Sequence, residues 1–380
     1  MKYSVQENVL SATFLLRRCR ALDDFPQLSR YLPFPNAPCP PYVQYDRLFT
    51  ITGFVTSYFM QLDFLTNLAT WGFALLVYPG LLFAALLALL GRWLAGLVAP
   101  LFMPKLYRQR TRIGAFTGPV LLISKMLGRK NAARWQADSP AGAEAAEPSS
   151  LVAENLLVLA GVIAPLIGLA LMPLTGNPVT EQLGVSSNLF LILALLAVYP
   201  LVSVAVQARS GGLSGMAAAQ TVGSLLTGLL PTLLIVAALI QVAGSHTLFM
   251  TSLLEAPVTP QQTFVRILAG VALLVALPWW LGGASLRDTS RPGAGLLTGR
   301  LVQTAALSVF WSLLVLPLPG DAAWSYVLPV LGALFACLAM RLLSDLWVPS
   351  RRPSDAANLA WATTLPLAVL AFILGLLGNS

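Results

Sequence analysis

The residues that could bind metals or act as nucleophiles are few in this chain and widely scattered. It has three cysteines, Cys19, Cys39 and Cys337, and one histidine, His246. No two cysteines have the spacing of metal ligands, and one histidine cannot build a zinc or haem centre by itself. The sequence also has no GK[ST] phosphate loop and no HExxH motif. We therefore predict no catalytic residue, no metal site and no cofactor bound by this chain itself.

Acidic residues are absent from the middle of every long apolar segment. A proton path through a membrane needs buried titratable groups at intervals, and here Glu154 lies at the edge of such a segment. Together with Arg92, Gln220 and Arg341, Glu154 forms a candidate polar cluster. The simpler alternative is that the charged members only anchor helix ends at the membrane surface.

Long apolar segments must position the residues of this candidate polar cluster. The chain is 57% hydrophobic and 10% charged, whereas a soluble domain carries about 25% charged residues. A membrane-spanning helix needs about 20 apolar residues. The pattern predicts an all-α polytopic membrane protein with eight spans: Gly72–Leu90, Leu156–Leu174, Leu189–Val206, Leu213–Ala243, Ile267–Leu286, Leu301–Leu318, Ala322–Met340 and Ala356–Gly378.

The basic residues predict the orientation of the chain. Connections after the second, fourth and sixth spans carry Glu181, Glu255 and Asp321 instead of Lys or Arg, and Arg266 is placed at a span end. Because cytoplasmic loops are enriched in Lys and Arg, we predict a cytoplasmic first loop and a C-terminus outside. Fifteen basic residues occupy the alternate connections: Lys105, Arg108, Arg110, Arg112, Lys125, Arg129, Lys130, Arg134, Arg209, Arg287, Arg291, Arg300, Arg341, Arg351 and Arg352.

Two regions outside the spans differ in composition. Residues 1–70 are predicted to be an N-terminal tail, poorly ordered or interfacial, with Met60 as an alternative start site. Leu48–Gln61 is too short for a confident span, although its insertion would give nine helices. Within the membrane domain, residues 71–380, the cytoplasmic loop 104–150 has two parts. Lys105–Trp135 is predicted to form an amphipathic surface helix or else an ordinary basic loop, and Ala137–Ser150 to be a linker.

A resemblance to a known family appears between Asn188 and Leu248. An apolar helix ends at Gly211 and Gly212, Gln220 opens the next helix within MAAAQ, and that helix closes as IQVAGS. The stretch resembles the membrane-anchor subunit shared by respiratory complex I (the NADH dehydrogenase subunit 1 family) and the energy-converting [NiFe] hydrogenases (formate hydrogenlyase subunit 4). The basic segment Arg108–Asn131 and the last helix fit the same pattern, so the resemblance covers about Trp71–Gly378.

This resemblance implies a non-catalytic subunit in the bacterial cytoplasmic membrane. The implied partners are complex-I-like or hydrogenase-like soluble subunits, antiporter-like membrane subunits and anionic lipid, and nucleic acid is not among them. Iron–sulfur and nickel–iron centres or quinone are expected in the partner subunits. The implied docking surface for the soluble redox arm is basic: Lys105, Arg108, Arg110, Arg112, Arg287, Arg291 and Arg300.

Three departures from the family argue against proton coupling through this chain. The family's buried glutamate falls on Leu225 or Leu229, and the aspartate of its surface helix on Leu122 or Ser124. The loop that is normally acidic, Gly282–Arg300, has one acid against three arginines.

Two other functions remain open from the sequence. The first is a stand-alone transporter or channel for a small neutral solute, although no clear internal repeat of the kind found in transporters is visible. The second is a degenerate relative of the family that serves only as an assembly scaffold.

Overall fold

A computed structural model describes residues 66–102, 148–183, 185, 187–209, 215–243, 248–255, 259–281, 294–316, 322–347 and 353–377. Eight long helices account for most of these residues, and two short helices, Pro178–Glu181 and Met250–Glu255, lie between them. Helix α1 comprises residues 66–76 and, after a break at 77–80, Leu81–Phe102. The others are α2 (Pro148–Ala170), α3 (Leu189–Arg209), α4 (Gly215–Val242), α5 (Pro260–Ala276, continued by a 3₁₀ turn Leu277–Leu281), α6 (Ala294–Val315), α7 (Ala322–Trp347) and α8 (Pro353–Leu377).

The prediction of an all-α polytopic membrane protein is confirmed. Within the ranges given above, no strand is formed, and one isolated antiparallel bridge joins Asn188 to Phe249. Three helices, α2, α4 and α8, contribute shorter apolar stretches, Asn155–Ala170, Gly228–Val242 and Trp361–Leu377. Among the described residues, five segments are long and apolar enough to cross a membrane: Thr66–Val98, Leu189–Val206, Gln262–Leu281, Gly295–Val315 and Trp324–Ser344. The N-terminal tail, the possible span Leu48–Gln61 and the amphipathic helix Lys105–Trp135 lie outside the described residues.

Helix α6 is central to the packing. It contacts α1, α2, α3, α5 and α7, while α8 packs against α4 and α5. Over an 18-residue apolar window of Gly295–Val315, 72% of residues are buried, against 33% over such a window of Thr66–Val98 in α1. A helix that is apolar all round and mostly buried must be enclosed by other helices, so α6 is the central helix of the bundle.

Prolines inside the helices free backbone carbonyls, and some of these carbonyls accept hydrogen bonds from other elements. Proline has no N–H to donate to the carbonyl four residues earlier. In α7, Pro329 therefore leaves the carbonyl of Ser325 without its helical donor, and the Thr175 hydroxyl donates to that carbonyl at 3.2 Å. Thr175 belongs to the connection between α2 and α3, so this bond also fastens that connection to α7.

The α2–α3 and α4–α5 connections are tied together at one end of the bundle. The buried side chain of Asn177 donates from Nδ2 to the carbonyls of Ala170 (2.8 Å) and Met172 (2.7 Å), which stabilises the end of α2. Backbone bonds then join the two connections, from Leu189 N–H to the Leu248 carbonyl (2.9 Å) and from Met250 N–H to the Ser187 carbonyl (3.0 Å). By the charge pattern, this end of the bundle is the one predicted to face outside.

Gly299 of α6 permits a close approach of α2, α3 and α6. A Cβ at Gly299 would lie 2.9 Å from the Tyr199 ring of α3 and 3.2 Å from the Gly161 carbonyl oxygen of α2. Overpacking of this kind costs about 1–3 kcal/mol. We expect Gly299→Ala to lower the thermal unfolding midpoint of the detergent-solubilised protein by several degrees.

Gly72 of α1 provides the matched control. A Cβ there would meet no atom within 4 Å, and alanine is favoured over glycine inside a helix by about 0.5–1 kcal/mol. Gly72→Ala should therefore leave the unfolding midpoint unchanged or raise it slightly. Equal midpoints for the two variants would show that the α2–α3–α6 contact is not tight in solution.

Candidate functional site

Polar side chains in the bundle are mostly hydroxyls and amides that bond to backbone carbonyls. Thr304 donates to the Arg300 carbonyl (2.7 Å), Ser308 to the Thr304 carbonyl (2.7 Å), and Ser312 to the Pro329 carbonyl (2.8 Å). A hydroxyl that donates to its own helix one turn back satisfies itself locally. This line of polar groups along α6 therefore serves helix packing, and it contains no group that loses a proton near neutral pH.

Two side-chain bonds join α3 to α6 in the turn of α3 that precedes Pro200. Pro200 cannot donate to the carbonyl of Leu196, and Gln303 Nε2 of α6 donates to that carbonyl at 2.8 Å. One turn along α3, the Tyr199 hydroxyl donates to the Leu296 carbonyl at 3.2 Å. Tyr199 and Gln303 are both buried, so each bond forms where bulk water does not compete. Together they hold α3 against the central helix.

Arg266 is the one charged residue found to be buried among the side chains that the structure describes, with 6% of its surface exposed. Its Nη2 donates to the carbonyl of Leu253 at 2.9 Å, near the C-terminal end of the short helix Met250–Glu255. A cation at that end of a helix is favourable because the last carbonyls carry partial negative charge. Arg266 thus holds the α4–α5 connection against α5.

Arg266 lies near the beginning of its apolar segment, as predicted, but inside the helix rather than before it. Helix α5 begins at Pro260, seven residues before the predicted start at Ile267, and therefore carries Arg266 inside it. A capping box fixes this start: Thr259 Oγ1 accepts from Gln262 N–H (3.3 Å) and Gln262 Oε1 accepts from Thr259 N–H (3.0 Å). The sequence signal was present as Thr-Pro followed by Gln, but a hydropathy window does not detect it.

The four residues of the predicted polar cluster lie on four helices. Arg92 is exposed on α1 and Arg341 is half-buried on α7, and these two helices pack against each other. Glu154 and Gln220 lie near the starts of α2 and α4. The described contacts therefore bring the helices of Arg92 and Arg341 together, while the cluster as a whole stays a prediction.

Most of the predicted docking surface falls outside the described residues. Lys105, Arg108, Arg110 and Arg112 belong to the connection between α1 and α2, and Arg287 and Arg291 to the connection before α6, which the described ranges do not include. Arg300 lies in the second turn of α6, is half-buried, and interacts electrostatically with Tyr199.

The described residues give no positive sign of a metal site. In the ranges that the structure describes, no three His, Cys, Asp or Glu residues come close enough to hold a metal ion. Cys337, placed by the sequence within an apolar span, is buried in α7 as a free thiol. Sequence reasoning missed Gln303 and Tyr199. For Gln303 the available signal was Pro200, since a proline there predicts a freed carbonyl at Leu196.

Comparison with known proteins supports the fold. No protein-family model and no curated protein matches the chain. Among solved structures, it is similar to a chain in the structure of the membrane-bound sulfane sulfur reductase (MBS), an archaeal respiratory membrane complex. The TM-score is 0.58 and the identity 17%, and the match covers 81% of this chain and 99% of that chain. At this identity, the likeness shows that the two chains share a fold.

Proposed function

We propose that this chain is an integral membrane subunit of a multi-subunit respiratory complex of the complex I or energy-converting hydrogenase type. The observation that carries the proposal is the fold likeness, because it extends over 99% of a chain from a respiratory membrane complex. The sequence resemblance found between Asn188 and Leu248 points independently to the same class of assembly.

The role that we propose is to anchor the soluble redox arm to the membrane and to join it to antiporter-like membrane subunits. The fifteen basic residues on the predicted cytoplasmic side supply a positively charged surface, and such a surface steers and orients an acidic partner. The electron-transfer centres, whether iron–sulfur, nickel–iron or quinone, would be held by the partner subunits.

We further propose that this subunit has reduced or lost proton coupling. Leu225, one of the two positions where the family carries a glutamate, is buried in α4, and Leu229 is partly buried against the main core. An apolar side chain at such an inward position cannot exchange a proton. The hydroxyls along α6 do not replace the missing acid, because they titrate far outside the physiological range.

Affinity purification of the tagged chain in mild detergent tests the proposal. We expect the chain to migrate on a native gel in a particle several times its own 40.5 kDa. Mass spectrometry of that particle should identify redox subunits, and a partner with the cysteine pairs of a [NiFe] large subunit would indicate the hydrogenase type. An untagged strain serves as the control. A monomer or dimer without redox partners would contradict the proposal and favour the transporter alternative.

A further inference from the structure

The side-chain oxygen of Gln303 lacks a hydrogen-bond donor within the described part of the chain. Gln303 is fully buried in α6, and its Oε1 atom has no donor there, while its Nε2 atom donates to the Leu196 carbonyl. A buried acceptor without a donor is costly, and most such groups in folded proteins have a partner. This atom therefore needs an explanation.

Rotating the amide does not solve the problem. A carbonyl oxygen only accepts hydrogen bonds, so the Leu196 carbonyl requires the NH₂ group of Gln303 on its side. Exchanging the two amide atoms would place two acceptors against each other and would leave the carbonyl freed by Pro200 without a donor. The orientation of the amide is fixed by this bond, and its oxygen must find a donor elsewhere.

A second acceptor lies close to the same place on α2. Pro165, inside α2, has no N–H for the carbonyl of Gly161. That carbonyl oxygen faces α6, because it would lie 3.2 Å from a Cβ built on Gly299. Gln303 follows Gly299 by one helical turn, so its side chain lies on the same face of α6. Gln303 and the Gly161 carbonyl thus both lie at the junction of α2, α3 and α6.

We propose that a buried water molecule binds at this junction and donates one hydrogen bond to Gln303 Oε1 and the other to the Gly161 carbonyl. Water is the donor that fits, because a buried water typically bridges polar groups that are otherwise unsatisfied. The three helices approach each other closely beside this place, where a Cβ on Gly299 would lie 2.9 Å from the Tyr199 ring, and such a narrow junction favours the smallest donor.

The proposed water lies deep in the membrane domain. Gln303 is nine residues from the start of α6 at Ala294, which is about 14 Å along the helix axis and close to the middle of a hydrocarbon layer about 30 Å thick. With this water, the carbonyls that Pro165 and Pro200 leave without a helical donor are both joined to the central helix by hydrogen bonds. The site is neutral and positions helices; it goes beyond the proposed function and does not depend on it.

Radiolytic hydroxyl-radical footprinting of the purified chain tests the proposal. Radiolysis of a bound water oxidises the side chains that touch it, even when bulk solvent cannot reach them. The Tyr199 ring lies against Gly161 and Gly299, so it reports on the site, and Phe310, fully buried in the same helix α6, is the dry reference. We expect Tyr199, corrected for intrinsic reactivity, to be oxidised about fivefold faster than Phe310.

Two substitutions separate a water site from general loosening of the fold. Gln303→Met keeps the side-chain length but removes the oxygen, and should bring Tyr199 oxidation down to the rate of Phe310. Gln303→Glu, protonated in this apolar position, can still donate to Leu196 and accept from water, and should keep the fast rate. Equal rates for Tyr199 and Phe310 in the unmodified chain would overturn the proposal even if Gln303→Met does not fold. An undiminished rate in a folded Gln303→Met protein would overturn it as well.

Discussion

Replacing Arg266 by glutamate is expected to destabilise the protein by about 3 kcal/mol or more, because it leaves an uncompensated charge in a buried position. Arg266 is 6% exposed and donates to the Leu253 carbonyl, so a carboxylate there would face a carbonyl oxygen. Two acceptors in contact repel each other, and the glutamate must either be protonated or displace the short helix Met250–Glu255. The α4–α5 connection should then detach from α5.

The effect can be measured by thermal unfolding in detergent and by limited proteolysis of residues 243–259. Arg266→Lys keeps a cationic donor and should retain most of the stability. Thr263→Glu introduces the same carboxylate on the same helix, at an exposed position one turn nearer the start of α5, and should unfold close to the unmodified protein. If Arg266→Glu and Thr263→Glu unfold at the same temperature, the bond to Leu253 does not hold the connection.

The fold class was predictable from the sequence because the bilayer restricts the possible structures so strongly. A chain that crosses lipid must satisfy its backbone groups within helices or a closed barrel, and apolar runs of about 20 residues then define the helices. The structure accordingly has a long helix at each of the eight predicted spans. Helix starts were less predictable: α5 starts at a polar capping box, Thr259–Gln262, which contributes nothing to an apolar window.

The polar contacts inside the bundle were not predictable from one sequence. Pro200 indicates that the Leu196 carbonyl needs a donor, but the donor, Gln303, is 107 residues further along the chain. Choosing it among the in-span amides and hydroxyls requires knowing which faces of α3 and α6 meet and at what height. The contacting faces and the relative height of two helices depend on how their side chains interdigitate over the whole helix length. Apolar helices of similar composition do not reveal that alignment in their sequences. The same argument applies to Thr175 and Ser325, which are 150 residues apart.

The proposed docking surface can be tested by reversing its charge. Replacing Arg108, Arg110 and Arg112 by glutamate changes the charge of the predicted cytoplasmic loop by six units, since each substitution removes one positive charge and adds one negative charge. If an acidic soluble arm docks there, three attractive contacts become repulsive ones, and like charges placed together cost several kcal/mol. We expect the membrane-bound fraction of the arm to fall at least about tenfold, which corresponds to a loss of about 1.4 kcal/mol or more.

The arm is measured by immunoblotting of washed membranes and of the soluble fraction, in mild salt. The control reverses the same number of charges in the N-terminal tail, Arg17, Arg18 and Arg20 to glutamate, and should leave the arm bound. Five of the eight basic residues between the first and second spans remain in the docking variant, so the positive-inside signal is weakened but kept. A cysteine introduced at Ser210 reports the orientation of the chain directly. If the orientation is kept, this cysteine should resist a membrane-impermeant thiol reagent applied from outside. An arm that stays on the membrane, in cells where the Ser210 cysteine stays protected, would show that the arginines of this loop do not hold it.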